Sequence, residues 1–408
     1  MSESATHAAI EAVARNSYGR LVAYLAARSR DIAGAEDALS DAFDAALRRW
    51  PADGVPEKPE AWLLHTARNR LIDAARHEQV RKKAEPILQL ANEAEGVATM
   101  HSIFPDERLK LLFVCAHPAI DVAVRTPLML QTVLGLDAAR IASAFLVSPA
   151  AMEQRLVRAK TKIREAGIPF GVPDPPEWDE RVAFVLDAIY SAYTAGWESA
   201  IDEGSTHHLL AREATAIGRT LVQLMPNEPE ANGLLALMLH CEARRPARYN
   251  HAGEFVPLDR QDPARWSRPL IKEAERHLRI ASALKRIGRY QLEAAIQSIH
   301  AHRAVSGVID WKEIALLYEG LVRLTPTIGA QVGRAVALGE SGEVAAGLVA
   351  LDEISTSRTA NYQPWWAARA HLLRRLDHRA EARDAFERAA SLTDDSTLRA
   401  YLLKQAAS

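Results

Sequence analysis

The sequence has little of what a secreted, membrane-bound or catalytic protein uses. Its 408 residues include two cysteines, Cys115 and Cys241. That is too few for a disulfide framework or a cysteine zinc site, and it fits a reducing, cytoplasmic setting. No run approaches the roughly 20 apolar residues that a membrane helix needs, and the opening "MSESATHAAIEAVARNSYGR" has no apolar signal core. There is no glycine loop to cradle phosphates, no Ser/His/Asp order, and no carboxylate pair beside a His or a nucleophile. Neither an enzyme nor a cofactor is expected. Adjacent histidines such as His207 and His208 diverge by about 100° on a helix, and no carboxylate or Cys stands at ligand spacing from His300 and His302, so no metal is expected. The formal net charge of −2 rules out a globally basic nucleic-acid binder.

What the chain does have is charge segregation and helical periodicity. Residues 31–60 hold eight acidic and three basic side chains, whereas residues 68–83 hold six basic and two acidic. Such asymmetry says more than the total. Strand signals are scarce, and Ala- and Leu-rich periodicity points to an all-α protein. It predicts helices over about 6–29, 31–50, 59–83, 106–116, 121–134, 137–145 and 149–166. Between residues 84 and 105 the pattern weakens, which reads as a tether. "AGIPFGVPDPPEWDE" (166–180) has four prolines and two glycines, cannot continue the helix before it, and marks a boundary. Beyond it the texture is of helical hairpins. "RAVALGESGEVAAGLVALDEI" (334–354) and "RAHLLRRLDHRAEARDAFERAASL" (369–392) begin 35 residues apart, near the tetratricopeptide (TPR) repeat of about 34. "TLVQLMP" (220–226) and "GLVRLTP" (320–326) add a second match. The loop "GEFVPLDRQDPARW" (253–266) is the most strand- and turn-like part of this half, and bracing the repeats is the role expected of it.

Two helices carry unusual faces. In "EAWLLHTARNRLIDAARH" (60–77), Leu63, Leu64, Ala67, Leu71, Ala74 and Ala75 share one side. Trp62, His65, Thr66, Asn69, Asp73 and Arg76 line the other. A solvated face is usually rich in Glu and Lys. This one offers an aromatic plane, an amide and cations, the groups that stack on and hydrogen-bond to unstacked bases. "LDAARIASAFLVSPAAMEQRLVRAKTKIREAG" (136–167) reads as a helix–turn–helix, with Ser148 as N-cap and Pro149 in the first helical position. Met152, Leu156, Ala159 and Ile163 form its buried stripe. Opposite lie Ala151, Gln154, Arg155, Arg158 and Lys162, small at the helix start and then suited to base edges and phosphates. Leu146 occupies a turn position where Gly is common.

In this order, "AEDALSDAFDAALRRW", "AWLLHTARNRLIDAARH", a tether and a helix–turn–helix resemble bacterial RNA polymerase sigma factors of the extracytoplasmic-function (ECF) type over residues 10–166. "AFLVSPAAMEQRLVRAKTKIREAGIPFGVP" with the long helical C-terminus resembles the subgroup that has a TPR-like extension. The resemblance implies a region 2 domain over 1–83, the tether over 84–105, a region 4 domain over 106–167, a linker over 168–180 and a TPR-like domain over 181–408. By resemblance, Trp62, His65, Asn69, Arg70 and Arg76 face the promoter −10 element, and the loop 50–60 helps to hold a flipped base. Gln154, Arg155, Arg158 and Lys162 face the −35 element, while Glu36, Asp37, Leu39, Asp41 and Phe43 dock on core polymerase. Glu153 stands where a basic residue is frequent, so the −35 sequence does not carry over. Core RNA polymerase and promoter DNA are then the partners, no membrane is involved, and the extension is expected to act in cis by docking on the sigma domains or on polymerase. The rival reading, a helix–turn–helix regulator with a ligand- or peptide-sensing helical half, leaves the Trp62 face and the acidic helix without a role. A scaffold in which the helical half does all the work leaves both basic faces without one.

Overall fold

The computed structural model describes residues 3–79, 107–145, 147–174, 177–198, 206–355 and 359–407. The expected tether (84–105) and Leu146 lie outside them. Among the described residues the fold is all helix and turn, with one isolated antiparallel bridge between Tyr249 and Phe255. No described helix is long and apolar enough to cross a membrane. The chain divides into two compact units, Met1–Thr220 and Leu221–Ser408.

In the first unit, α1 (Glu3–Ser29), α2 (Ile32–Asp53) and α3 (Pro59–Gln79) pack against one another. α2 buries Ile32, Ala35, Leu39, Ala42, Ala46 and Trp50, an i, i+3/i+4 series that makes one continuous apolar stripe. α3 answers with Leu63, Ala67 and Leu71. The stripe expected from the sequence runs further along α3, but Ala74 is exposed and Arg68 is buried. The cover given by α1 and α2 tracks the 63–67–71 row and its neighbour 68, and it ends one turn before Ala74.

The same unit continues with α4 (Arg108–Cys115), α5 (Val122–Thr132), α6 (Ala138–Ala144) and α7 (Pro149–Glu165). α5 and α6 both pack on α7. The stripe of Met152, Leu156, Ala159 and Ile163 is buried. The two helical groups touch directly, α1 against α4 and α5, and α2 against α7. Gly19 of α1 lies so close to the chain after α5 that a Cβ there would sit 2.0 Å from the Val133 carbonyl oxygen, so any larger residue must push the two apart.

Beyond the proline-rich segment come α8 (Trp178–Glu198) and α9 (Thr206–Leu224). The sequence places a domain border at 180, whereas the compact unit runs on to Thr220. The reason is packing: α8 lies on α4 and α5, with Val185, Ile189 and Ala192 buried. α7 is stopped at Gly167, whose φ of 60° and the Ile168 amide bond to the Ile163 carbonyl close its C-terminus before the first proline. Within the linker Trp178 donates Nε1–H to the Pro173 carbonyl at 2.8 Å.

The second unit is a run of antiparallel hairpins. α10 (Pro229–Arg244) packs on α11 (Arg268–Ala283) and α12 (Arg289–Ser306). Then come α13 (Trp311–Leu324), α14 (Ile328–Glu340) and α15 (Val344–Asp352), each on its predecessor. α16 (Gln363–Arg375), α17 (Arg379–Ser391) and α18 (Ser396–Ala406) close the unit. Small apolar cores each join three successive helices. Val332, Leu351, Trp365 and Leu372 make one, and Trp365 Nε1 donates to the Leu351 carbonyl at 3.0 Å. The loop between α10 and α11 is held by Arg303 of α12, whose guanidinium donates to the carbonyls of Leu258, Asp259 and Gln261 and stacks on Trp266.

Candidate nucleic-acid interface

The first face lies on α3. Pro51 is tolerated inside the last turn of α2, Gly54 takes a positive φ of 87° just after it, and Pro59 starts α3 three residues before Trp62. Trp62 is half-buried and meets the fully buried Trp50 edge to face, with ring centroids 5.4 Å apart and planes at 69°. One edge of the indole is thereby fixed while the rest of the ring faces outward. One turn on, His65 and Asn69 are exposed and in contact with each other, Nε2 to Nδ2 at 3.1 Å. Arg70 and Arg76 are exposed too. Arg70 leans toward Asp41 of α2 at 3.9 Å and Arg76 toward Asp73 at 4.0 Å, loose pairs that a phosphate can displace. The five expected residues thus lie on one helix, with Trp62, His65, Asn69 and Arg76 along one edge and Arg70 turned toward α2.

The second face lies on α7. Ser148 Oγ accepts from the Ala151 amide at 3.3 Å and Pro149 opens the helix, so the N-terminus points outward with small residues first. Gln154, Arg155, Arg158 and Lys162 are all exposed, and Arg158 Nε donates to the Gln154 carbonyl at 3.2 Å. Val157 stands among them at 57% exposure. It is absent from the residues expected on this face. The signal available in the sequence is an apolar residue that breaks the polar side of this helix.

The acidic helix behaves differently. Asp37 and Asp41 are exposed and Phe43 is half-buried, but Leu39 is fully buried and serves the core of the α1–α3 group instead of a docking surface. It falls on the apolar stripe of α2, three residues from Ala42 and four from Ala35. Glu36 is engaged by a neighbour. Lys160 of α7 donates Nζ–H to its Oε2 at 2.5 Å, with the side chains 10% and 18% exposed, and Arg164 lies 3.4 Å from Asp31. Burial pushes the Glu36 carboxyl above the usual carboxylate range, and Lys160 pulls it back. Lys160 is also absent from the expected site residues. It sits four residues after Leu156 and three before Ile163, on the buried stripe, and a lysine there signals a partner carboxylate.

α8 and α9 frame the helix–turn–helix group. Arg125 of α5 donates to the Ile120 and Pro118 carbonyls and lies over the Phe184 ring of α8, 4.7 Å from its centroid. Arg108 of α4 pairs with Glu213 of α9. Cys115 is wholly buried against Thr132, and burial raises its thiol to about 12, so it is chemically inert. Among the described residues no group of three or more His, Cys, Asp or Glu could hold a metal ion.

Comparison with known proteins bears on this arrangement. Residues 14–81 match Sigma-70 region 2, the segment that contains α2 and α3. Residues 181–282 match a family of unknown function (DUF6596). An uncharacterized protein of Rhizobium meliloti (strain 1021) is 38% identical over 395 residues, covering 95% of this chain and 92% of that one. No solved structure matches. Identity of that degree along nearly the whole of both chains means that the protein belongs to one family with the R. meliloti protein, and its N-terminal part is a sigma-70 region 2 domain.

Proposed function

We propose that the protein is a sigma factor of the ECF type: a non-enzymatic, cytoplasmic subunit that directs core RNA polymerase to promoters and helps to open them. The observation that carries this reading is the pair of exposed faces, Trp62–Arg76 on α3 and Gln154–Lys162 on α7, in a unit whose N-terminal part matches Sigma-70 region 2. α7 anchors in the −35 major groove. The α3 face then takes up the −10 strand as its bases unstack, so capture of a flipped base favours the open state. Residues 84–105 link the two faces, which raises the effective concentration of the second contact once the first has formed. Asp37, Asp41 and Phe43 are the docking groups for core, joined by Glu36 when Lys160 lets it go.

The TPR-like extension acts in cis. This part of the proposal is supported by α8 and α9, which come after the proline-rich segment and pack on the helix–turn–helix group through Phe184 and Glu213. Its contribution is positive, since removing α8 strips the apolar cover from α4 and α5. The test is transcription with purified core enzyme and no other sigma factor. The full chain initiates from its own promoter, and a form ending at Gly171 loses activity or promoter choice. A regulator that is not a polymerase subunit fails the first assay, and equal activity of the two forms removes control in cis.

A further inference from the structure

The hairpins of the second unit leave an open groove of about 730 Å³ between α11, the C-terminal half of α12 and the start of α13. Its floor is apolar: Ile271, Ile299, Val305 and Val308. Val305 is 84% exposed and Val308 69%, although both are large aliphatic residues next to each other along the same wall. A single exposed valine needs no explanation, but two side by side, next to the half-buried Ile271 and Ile299, do.

The rim has one sign of charge. Glu275, Asp310 and Glu313 line it with no Lys or Arg among the lining residues, and His302 stands at the wall. Glu275 is held in place. Its Oε1 accepts from Ser298 Oγ at 2.5 Å and lies 3.4 Å from Nε2 of the buried His240, and these contacts keep its carboxyl below the usual range. A cation arriving there meets a charge already fixed in position and needs to order no flexible side chain.

We propose that this groove docks an amphipathic helix of a partner protein, apolar along one side and carrying Lys or Arg beside it. Apolar positions spaced i, i+3 and i+4 fill the floor between α11 and α13, and the cations meet Glu275, Asp310 and Glu313. The charge pattern decides against the other occupants. Two copies of this chain meeting through the groove would set six carboxylates against one another, and an anionic lipid surface would be repelled in the same way. Docking of this kind gives the extension an input from another protein, separate from its contacts inside the first unit.

Binding is read by fluorescence anisotropy with the full-length protein. The probe is a labelled, capped peptide of about four helical turns, with Leu at i, i+3, i+4 and i+7 and Lys flanking them. A second peptide has Glu in place of Lys. The Leu–Lys peptide is expected to bind in the micromolar range and the Leu–Glu peptide at least tenfold more weakly. Val305→Ser with Val308→Ser changes no charge and alters only exposed positions; it should weaken the Leu–Lys peptide about tenfold, and Glu275→Gln about fivefold. Equal binding of the two peptides overturns the proposal, as does unchanged affinity in the valine variant, which would mean charge attraction alone. A valine-dependent dimer in sedimentation also overturns it, in favour of self-association. None of these readouts involves polymerase, so they stand or fall apart from the sigma-factor reading.

Discussion

Lys160 of the helix–turn–helix and Glu36 of the acidic helix close on each other at 2.5 Å, joining the region 2 helices to the helix–turn–helix group. The pair uses a carboxylate on the very helix proposed to meet core polymerase, so docking through Glu36 and this closed arrangement compete. Lys160→Met leaves Glu36 buried without a partner, a situation that typically costs about 3 kcal/mol or more. The closed form is the one destabilised, because an opened Glu36 regains water. Lys160→Met is therefore expected to enlarge the radius of gyration in solution scattering and to tighten binding to core several-fold. Glu36→Gln should open the unit as well but weaken core binding. Unchanged scattering in both variants would show that the contact does not hold the arrangement.

Gly19 offers an independent handle on the same closure. A methyl group there collides with the Val133 carbonyl, which is backbone and cannot swing aside. Gly19→Ala adds helix propensity to α1 and would stabilise it by up to about 1 kcal/mol if nothing were in the way. The expected outcome is the opposite sign: a lower melting temperature, or the same expansion in scattering as Lys160→Met. A more stable and equally compact Gly19→Ala protein would disprove the close approach.

For the α3 face the prediction concerns the step affected. Trp62 packs on Trp50 and Asn69 is exposed beside His65; under the proposed −10 role, both act on a strand that has already separated. Trp62→Ala and Asn69→Ala should reduce permanganate reactivity of promoter thymines while binding to core stays as in wild type. Full reactivity in both variants would remove the −10 assignment.

Much of this is legible in the sequence because helices declare their faces. The buried stripe of α7 and the polar edge of α3 come from spacing alone, and both are found at the expected residues. What spacing does not show is which element covers a stripe and how far. Leu39 shares an acidic helix with Asp37 and Asp41 and looks like a docking residue, but its register puts it inward. Lys160 is the opposite case: its charge suggests solvent, while its register places it against Glu36. The helix stop within 166–180 is legible. That α8 then folds back onto α4 and α5 depends on long-range packing, which local pattern does not encode.

On α7, Arg155→Ala and Arg158→Ala each delete a cation, worth about 1–3 kcal/mol if it makes a bidentate base contact. Initiation from a −35-dependent promoter should fall accordingly, and the salt dependence should become shallower for any residue that holds phosphate. Val157→Ser should change preference at one base pair with the salt slope unchanged, since it removes an apolar contact and no charge. A uniform loss across promoter sequences would mean that Val157 does not read a base.

In the second unit, a pH dependence of stability centred on His300 is expected. Its ring is buried edge-on to Trp311, 5.4 Å between centroids, and its Nδ1 has no hydrogen-bond partner. Burial, with Arg244 and Arg303 adding to it, lowers its pKa from 6.5 to about 3. Between those two values the unfolded chain binds a proton at this residue and the folded chain does not, so stability falls as pH drops. At pH 5 the deficit is about 2 kcal/mol, from about 1.5 pH units at 1.36 kcal/mol each. Glu275, whose carboxyl is held low, loses its contribution only once pH falls through the carboxylate range, so it does not confuse the window from pH 7 to 5. His300→Phe keeps a ring against Trp311 and removes the titration. Denaturant unfolding should show stability declining from pH 7 to 5 in wild type and a flatter profile in His300→Phe. Parallel profiles would mean that His300 takes up its proton in the folded protein as readily as in the unfolded chain, and that the neutral, buried imidazole is not what the fold maintains.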